Sequence, residues 1–184
     1  MSWQLDKAHS SINFSVRHMM ISTARGRFEE FDGTFEVNEA DPRQSKIEVQ
    51  IQAASINTKD AQRDGHLKSP DFFDVEKYPV ISFKSKRVEK VSGQNVRLVG
   101  DLTIKDITKE VALDVEYAGQ AKSPWGTINA GFTAQTKINR KEWGLTWNVA
   151  LETGGMLVGE EVTISIELEL VKQPEAELVL EAVA

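Results

Sequence analysis

The chain has 184 residues, 40% hydrophobic and 27% charged, with a formal net charge of −6 and no cysteine. That length sustains a buried core without covalent staples, and the missing cysteine excludes disulfides, thiolate metal sites and cysteine nucleophiles. The acidic balance, with scattered Lys and Arg, argues against nucleic acid as a partner, and no apolar run approaches the roughly 20 residues of a transmembrane segment.

From Ser11 to Val171 apolar and polar residues alternate with period two, and the alternation predicts eight strands. Residues 11–18 align Ile12, Phe14, Val16 and His18. Residues 27–37 align Phe31, Gly33, Phe35 and Val37, and 46–54 align Ile47, Val49, Ile51 and Ala53. Residues 80–88 align Ile81, Phe83 and Ser85, and 94–104 align Val96, Leu98, Gly100, Leu102 and Ile104. Residues 110–118 align Val111, Leu113, Val115 and Tyr117. Residues 127–139 align Ile128, Ala130, Phe132, Ala134, Thr136 and Ile138. Residues 160–171 align Val162, Ile164, Ile166, Leu168 and Leu170. Each segment has one dry and one wet face. The expectation is an all-β fold, an eight-stranded antiparallel barrel, with a sandwich giving similar alternation. Gly33, Ala53, Gly100, Ala130 and Ala134 are small inward residues that leave room for a ligand.

The alternation stops over residues 57–79, after the third predicted strand. A short helix is predicted over 59–67, with Asn57 or Thr58 as N-cap and Asp60 in the first turn. Gly65 and Pro70 limit its length. Up-and-down strand order sends loops 19–26, 55–79, 105–109 and 140–159 to one mouth of the barrel. His18 and Arg140 continue the inward parity of their strands to that same mouth. The barrel domain is expected over 1–173, followed by an acidic and apolar tail over 174–184 with Pro174 at a helix N1 position.

Nucleotide and hydrolase motifs are missing. Gly154–Gly159 has P-loop glycine spacing, but Glu160 replaces the lysine, so phosphate cradling is rejected. The three histidines, His9, His18 and His66, show no metal-ligand spacing. No catalytic group, metal or cofactor is assigned. Inward parity nominates an apolar pocket of Phe14, Val16, Phe35, Ile51, Phe83, Leu98 and Phe132. Leu67, Phe72 and Phe73 join it from the interruption, and Trp143 and Trp147 cap the same mouth. Head-group contacts are expected from His18, Arg63, His66 and Arg140, where hydrogen bonds select a ligand. The plainer readings are a local Arg63–Asp64–His66 ion-pair group pinning the helix and a salt bridge from Arg140 to a rim acid such as Asp101 or Asp106.

Several stretches resemble the YceI-like family of lipid-binding barrels. They are Trp3-x-Leu5-Asp6-x-x-His9-Ser10-x-Ile12-x-Phe14-x-Val16-Arg17-His18, Gly26-x-Phe28, Ser55-Ile56-x-Thr58, Arg63-Asp64-x-His66-Leu67-Lys68-Ser69-x-x-Phe72-Phe73 and Tyr78-Pro79-x-Ile81-x-Phe83. They continue with Gly100-x-Leu102-Thr103-Ile104, Thr108-Lys109 and Ile138-Asn139-Arg140-x-x-Trp143-Gly144-Leu145. The resemblance implies a lipocalin-like barrel with a helical insertion after strand three. It also implies a long apolar pocket for a long-chain isoprenoid or fatty amphiphile, such as an isoprenoid quinone, and hence a binding or carrier protein. Two alternatives stand beside it: an enzyme acting on a bound lipid through His18 or His66, and a structural, stress-related homodimer with a filled core. Many relatives carry a periplasmic leader. Here the first residues enter a strand pattern directly, so a cytoplasmic location is expected.

Overall fold

The period-two segments close into a ring. The computed structural model describes residues 2–174. Its strands are β1 (Ser2–Leu5), β2 (Ser11–His18), β3 (Ser22–Phe28), β4 (Phe31–Glu36), β5 (Lys46–Gln52), β6 (Ile56–Asn57), β7 (Val80–Ser92), β8 (Asn95–Ile104), β9 (Ile107–Lys122), β10 (Ile128–Asn139) and β11 (Val158–Lys172). One α-helix, α1 (Ala61–Lys68), lies between β6 and β7. Apart from Pro174, the expected tail lies outside the described residues. No helix among the described residues is long and apolar enough to cross a membrane.

All pairings are antiparallel, and β1 closes the ring by pairing with β11 on one edge and β4 on the other. The first three staves of the barrel are each broken in two. β1 and β2 run in line along β11, β3 pairs with β2 while β4 pairs with β1, and β6 extends β5 to reach β3. Counted by stave, the result is an eight-stranded antiparallel barrel in up-and-down order.

The strand predicted over 27–37 is therefore two strands. Phe28 and Phe31 are both buried although three residues apart, which period two forbids without a kink. Glu29 and Glu30 absorb that kink. The Glu29 N–H donates to the Ser55 carbonyl and the Glu30 carbonyl accepts from the Gln52 N–H, so adjacent staves bend together. Between β1 and β2 the break is a single turn at Lys7–His9, capped by the Asp6 carboxylate on the Ala8 and His9 amides.

The barrel interior is asymmetric. Inward Phe35, Ile51, Phe83 and Leu102, on β4, β5, β7 and β8, are almost fully buried, whereas Ile47 and Val49 on β5 and Val96 on β8 are half-buried. On β2, β10 and β11, Ile12, Ala130, Ile138 and Leu170 are buried, but Phe14, Val16, Phe132, Ile164 and Ile166 between them are only half-buried. An inward side chain that keeps accessible surface faces empty space, so the void runs past Phe14, Val16, Phe132, Ile164 and Ile166 and also past Ile47, Val49, Val96 and Val115.

Candidate functional site

That void is a cavity of about 550 Å³, bounded by side chains from every stave and from the segment after β6. Phe14, Val16, Phe35, Ile51, Phe83, Leu98 and Phe132 line it from the strands, and Leu67, Phe72 and Phe73 line it from the segment around α1. Alternation alone places the first set, because a closed barrel has one inside.

The space comes from different residues than composition suggested. A side chain at Gly100 would collide with the Phe83 ring, and one at Gly33 with the Phe35 ring and the Glu48 carbonyl. These glycines make room for neighbouring phenylalanines and leave none for a ligand. Ala53 is buried in a turn off the cavity wall. Ala130 and Ala134 on β10 do line the cavity.

The lid is built locally. Asp60 caps α1, its carboxylate accepting from the Arg63 N–H at 3.0 Å, and the helix runs through Gly65 to Lys68. The N-cap is thus Asp60, not Asn57 or Thr58. The side chain of Thr58, 7% exposed, is the fastening point instead. Arg63 Nε donates to its hydroxyl and Arg63 Nη2 to its carbonyl, each at 2.8 Å. Asp64 accepts from the Thr58 N–H at 2.9 Å and from its hydroxyl. Arg63 and Asp64 therefore grip Thr58 and form no ion pair with each other. Beyond the helix, Phe72 turns inward, and Phe73 meets Phe28 edge-on with centroids 5.8 Å apart.

Five nominated residues do not line the cavity. His18 pairs with Val158 and Ser22 at the rim. Arg63 is consumed by Thr58. His66 Nε2 lies 2.8 Å from the Asp71 carboxylate, outside the cavity wall. Trp143 is 1% exposed, and its indole N–H donates to the Leu102 carbonyl at 3.0 Å, which ties the 140–157 segment to the end of β8. Trp147 packs on the outside of the lid, against Phe72 and His66. Parity identifies which face a residue takes within a strand and says nothing of residues outside strands, where four of these five lie.

Arg140 does reach the cavity wall, and it is 3% exposed. Its guanidinium donates to backbone carbonyls only: Nε to Gly159 at 2.8 Å, Nη1 to Trp147 at 3.1 Å and to Leu145, and Nη2 to Val158 at 3.4 Å. Among the described residues no carboxylate pairs with it, which corrects the expected rim salt bridge. Asp101 lies beside Lys86, and Glu160 takes Lys141 at 2.7 Å. Burial lowers the Arg140 pKa, with Glu160 opposing. Four of five guanidinium N–H groups are used, and among the described residues no carboxylate is in direct contact with the charge.

The opposite end of the cavity has a polar collar that the sequence reading missed. Asn38, Glu39, Ser45, Gln94 and Gln120 line it there. Glu39 accepts from Lys172 at 2.9 Å and from Gln120 at 3.0 Å, and the Lys172 contact, then Gln120, holds its carboxyl below the usual range. Polar residues in turns and at strand ends carry no periodic signal, so nothing in the chain marked them. Away from the cavity, Asp6, His9 and Glu169 lie within ligand reach of one another. Hydrogen bonds explain them: Asp6 caps a turn and holds His9, and Glu169 accepts from Asn129.

With this geometry in view, the chain can be placed among known proteins. The model of the YceI-like domain matches residues 3–170. A UPF0312 protein of Staphylococcus aureus strain USA300 is 40% identical over 169 residues, which cover 91% of this chain and 96% of the relative. The crystal structure of the Campylobacter jejuni YCEI protein superposes with a TM-score of 0.73 at 31% identity, covering 92% of this chain and 96% of that one. A polyisoprenoid binding domain from Saccharophagus degradans, implicated in plant cell wall breakdown, shares the fold at a TM-score of 0.66 and 15% identity, covering 93% and 98%. The chain belongs to the YceI-like domain family.

Proposed function

We propose that the protein binds a long-chain isoprenoid, with isoprenoid quinones as the leading candidates, inside the barrel. One observation carries this reading. The cavity is about 550 Å³ and apolar along its length, with polar side chains gathered mainly at its two ends. Ligand pockets span roughly 300–1,000 Å³. Each buried methylene contributes about 0.8 kcal/mol, so about twenty carbons contribute roughly 16 kcal/mol, enough to offset the ~4–15 kcal/mol association cost. The polyisoprenoid binding domain of Saccharophagus degradans, built on the same fold, supports the ligand class.

The head group selects the ligand at Arg140. A buried guanidinium with one unused N–H and no carboxylate in direct contact among the described residues favours an electron-rich oxygen, such as a quinone carbonyl, over a plain hydrocarbon end. The reading is of binding, not catalysis. His18 and His66, on which an enzymatic alternative depended, stand off the cavity, and a cavity of this size contradicts a filled core. Native mass spectrometry of the purified protein, with lipid identification, tests the proposal. A co-purified prenyl lipid is the expected result. A lipid-free protein that also fails to take up added prenyl quinones overturns it.

A further inference from the structure

The lid end carries an apolar surface that neither the core nor the cavity uses. The β2–β3 hairpin turns through Met19 and Met20, closed by the Ile21 N–H on the His18 carbonyl at 3.2 Å. Both methionines sit in the left-handed region, at φ 53° and 63°. That is the geometry of a tight hairpin turn, which Asn-Gly satisfies at low cost and methionine does not. Large apolar side chains are held there against local preference, and they point outward: Met19 is 43% exposed, Met20 60% and Ile21 78%.

A second loop widens the patch. The Met19 N–H donates to the Leu157 carbonyl, and the Leu157 N–H donates to the Val149 carbonyl. Met20 lies against Gly155. Val149 and Met156, bridged through the Ala150–Met156 pair, are 47% and 44% exposed. Two chain-distant segments thus present five apolar side chains together. A contiguous exposed apolar patch marks an interaction surface, whereas a lone residue such as Trp125 at the other mouth does not.

Directly behind the tip, the outer face of the hairpin carries Arg17, opposite Thr23, and Arg25, opposite Ser15. Arg17 is aimed at the tip by its bonds to the Thr23 hydroxyl and the Met20 carbonyl, both at 3.2 Å. Neither arginine has an ion-pair partner among the described residues, and the acid of the neighbouring loop is Glu152. Apolar tips with guanidinium groups one or two rungs behind match the depth profile of a membrane interface: side chains among acyl chains, cations among phosphates.

We propose that the tip formed by Met19, Met20, Ile21, Val149 and Met156 docks the lid end of the barrel onto an anionic phospholipid bilayer. The surface is independent of what fills the cavity, but it sets the lid beside the source of any apolar ligand.

Vesicle co-sedimentation tests this, using the full chain with vesicles of phosphatidylcholine alone and of phosphatidylcholine with an equal part of phosphatidylglycerol. Binding is expected to the anionic vesicles and to weaken with salt. Met20→Ser/Ile21→Ser and, separately, Arg17→Gln/Arg25→Gln lower it by roughly tenfold each. Trp125→Ser, which removes exposed apolar surface at the opposite mouth, leaves it unchanged. Equal binding to both vesicle types, no binding, or an equal loss in Trp125→Ser overturns the proposal. So does a dimer in buffer that Met20→Ser/Ile21→Ser converts to monomer, which would assign the tip to a second copy. Uptake of a soluble prenyl quinone by the same variants reads the cavity separately, so either function can fail without the other.

Discussion

His66 stands edge-on to Trp147, with ring centroids 4.5 Å apart and planes at 90°. One ring belongs to α1 and the other to the segment that Arg140 and Trp143 anchor. The pair therefore latches the lid to the body of the barrel. Edge-on aromatic pairs contribute about 0.5–1.5 kcal/mol beyond their buried area. A double-mutant cycle of His66→Ala and Trp147→Ala in urea unfolding should give a coupling in that range. Additive effects would show that the two rings are mere neighbours.

Thr58 holds the other end of the lid. Thr58→Val keeps the shape and removes the hydroxyl, leaving Arg63 Nε and Asp64 short of a partner. An unsatisfied buried group costs about 1–3 kcal/mol. Hydrogen exchange should show faster opening of the α1 amides with little change in β8 and β9. Uniform acceleration across the barrel would mean that Thr58 supports the whole fold and has no special hold on the lid.

Arg140 has two roles that separate by substitution. Arg140→Met takes the guanidinium donor away from the carbonyls of Leu145, Trp147 and Gly159, while Val158 keeps its bond from Asn148, and should cost roughly 3 kcal/mol or more. Arg140→Lys keeps the charge but cannot span carbonyls on both sides. The wild-type protein should bind a prenyl quinone more tightly than a polyisoprenoid hydrocarbon of equal length, and Arg140→Lys should narrow that gap. An unchanged preference would move head-group recognition to the collar of Asn38, Gln94 and Gln120.

The cavity itself is tested by filling it. Ala134 lines the void on β10, so Ala134→Phe places a ring where a ligand tail would lie. Filling existing space costs little stability, within about 1–3 kcal/mol even where packing is imperfect. Lipid uptake in a fluorescence displacement assay should fall by at least tenfold. Full uptake by a folded variant would put the binding site elsewhere.

On the barrel's outer wall, Arg87 hydrogen-bonds Glu110 at 2.8 Å, with Lys86 at 3.0 Å. These contacts, Arg87 foremost, lower the Glu110 pKa from 4.5 to about 2. A folded-state pKa below the unfolded one adds stability above pH 4.5 that is lost as pH falls toward 2. The group is exposed, so the effect is small. Glu110→Gln should flatten the pH dependence of the urea midpoint in this window, and an identical slope would assign the acid sensitivity to other carboxylates.

Phe14, Phe35, Phe83, Leu98 and Phe132 were legible as cavity residues because a strand has only two faces and a closed barrel only one inside. Leu67, Phe72 and Phe73 stood out because an apolar trio in a polar interruption needs something to cover. The mouth assignment followed from strand order, and the contact of Trp143 with Leu102 and of Met19 with Leu157 agrees with it. The kink at Glu29–Glu30 was also open to reading, since Phe28 and Phe31 break parity.

Other features depended on atoms far apart in the chain. Thr58 as the clamp for Arg63 and Asp64, the four carbonyls around Arg140 and the collar from Asn38 to Gln120 obey no period. The glycines at 33 and 100 showed the same limit: their small size was visible, but the rings that occupy the space were not. Local alternation determined the all-β barrel and the identity of its inner wall, because burial of one face is a property of each strand alone. Only the tertiary structure decided which polar groups meet the cavity and which hold the lid. A hydrogen bond depends on distance and direction between groups that the linear order leaves unrelated.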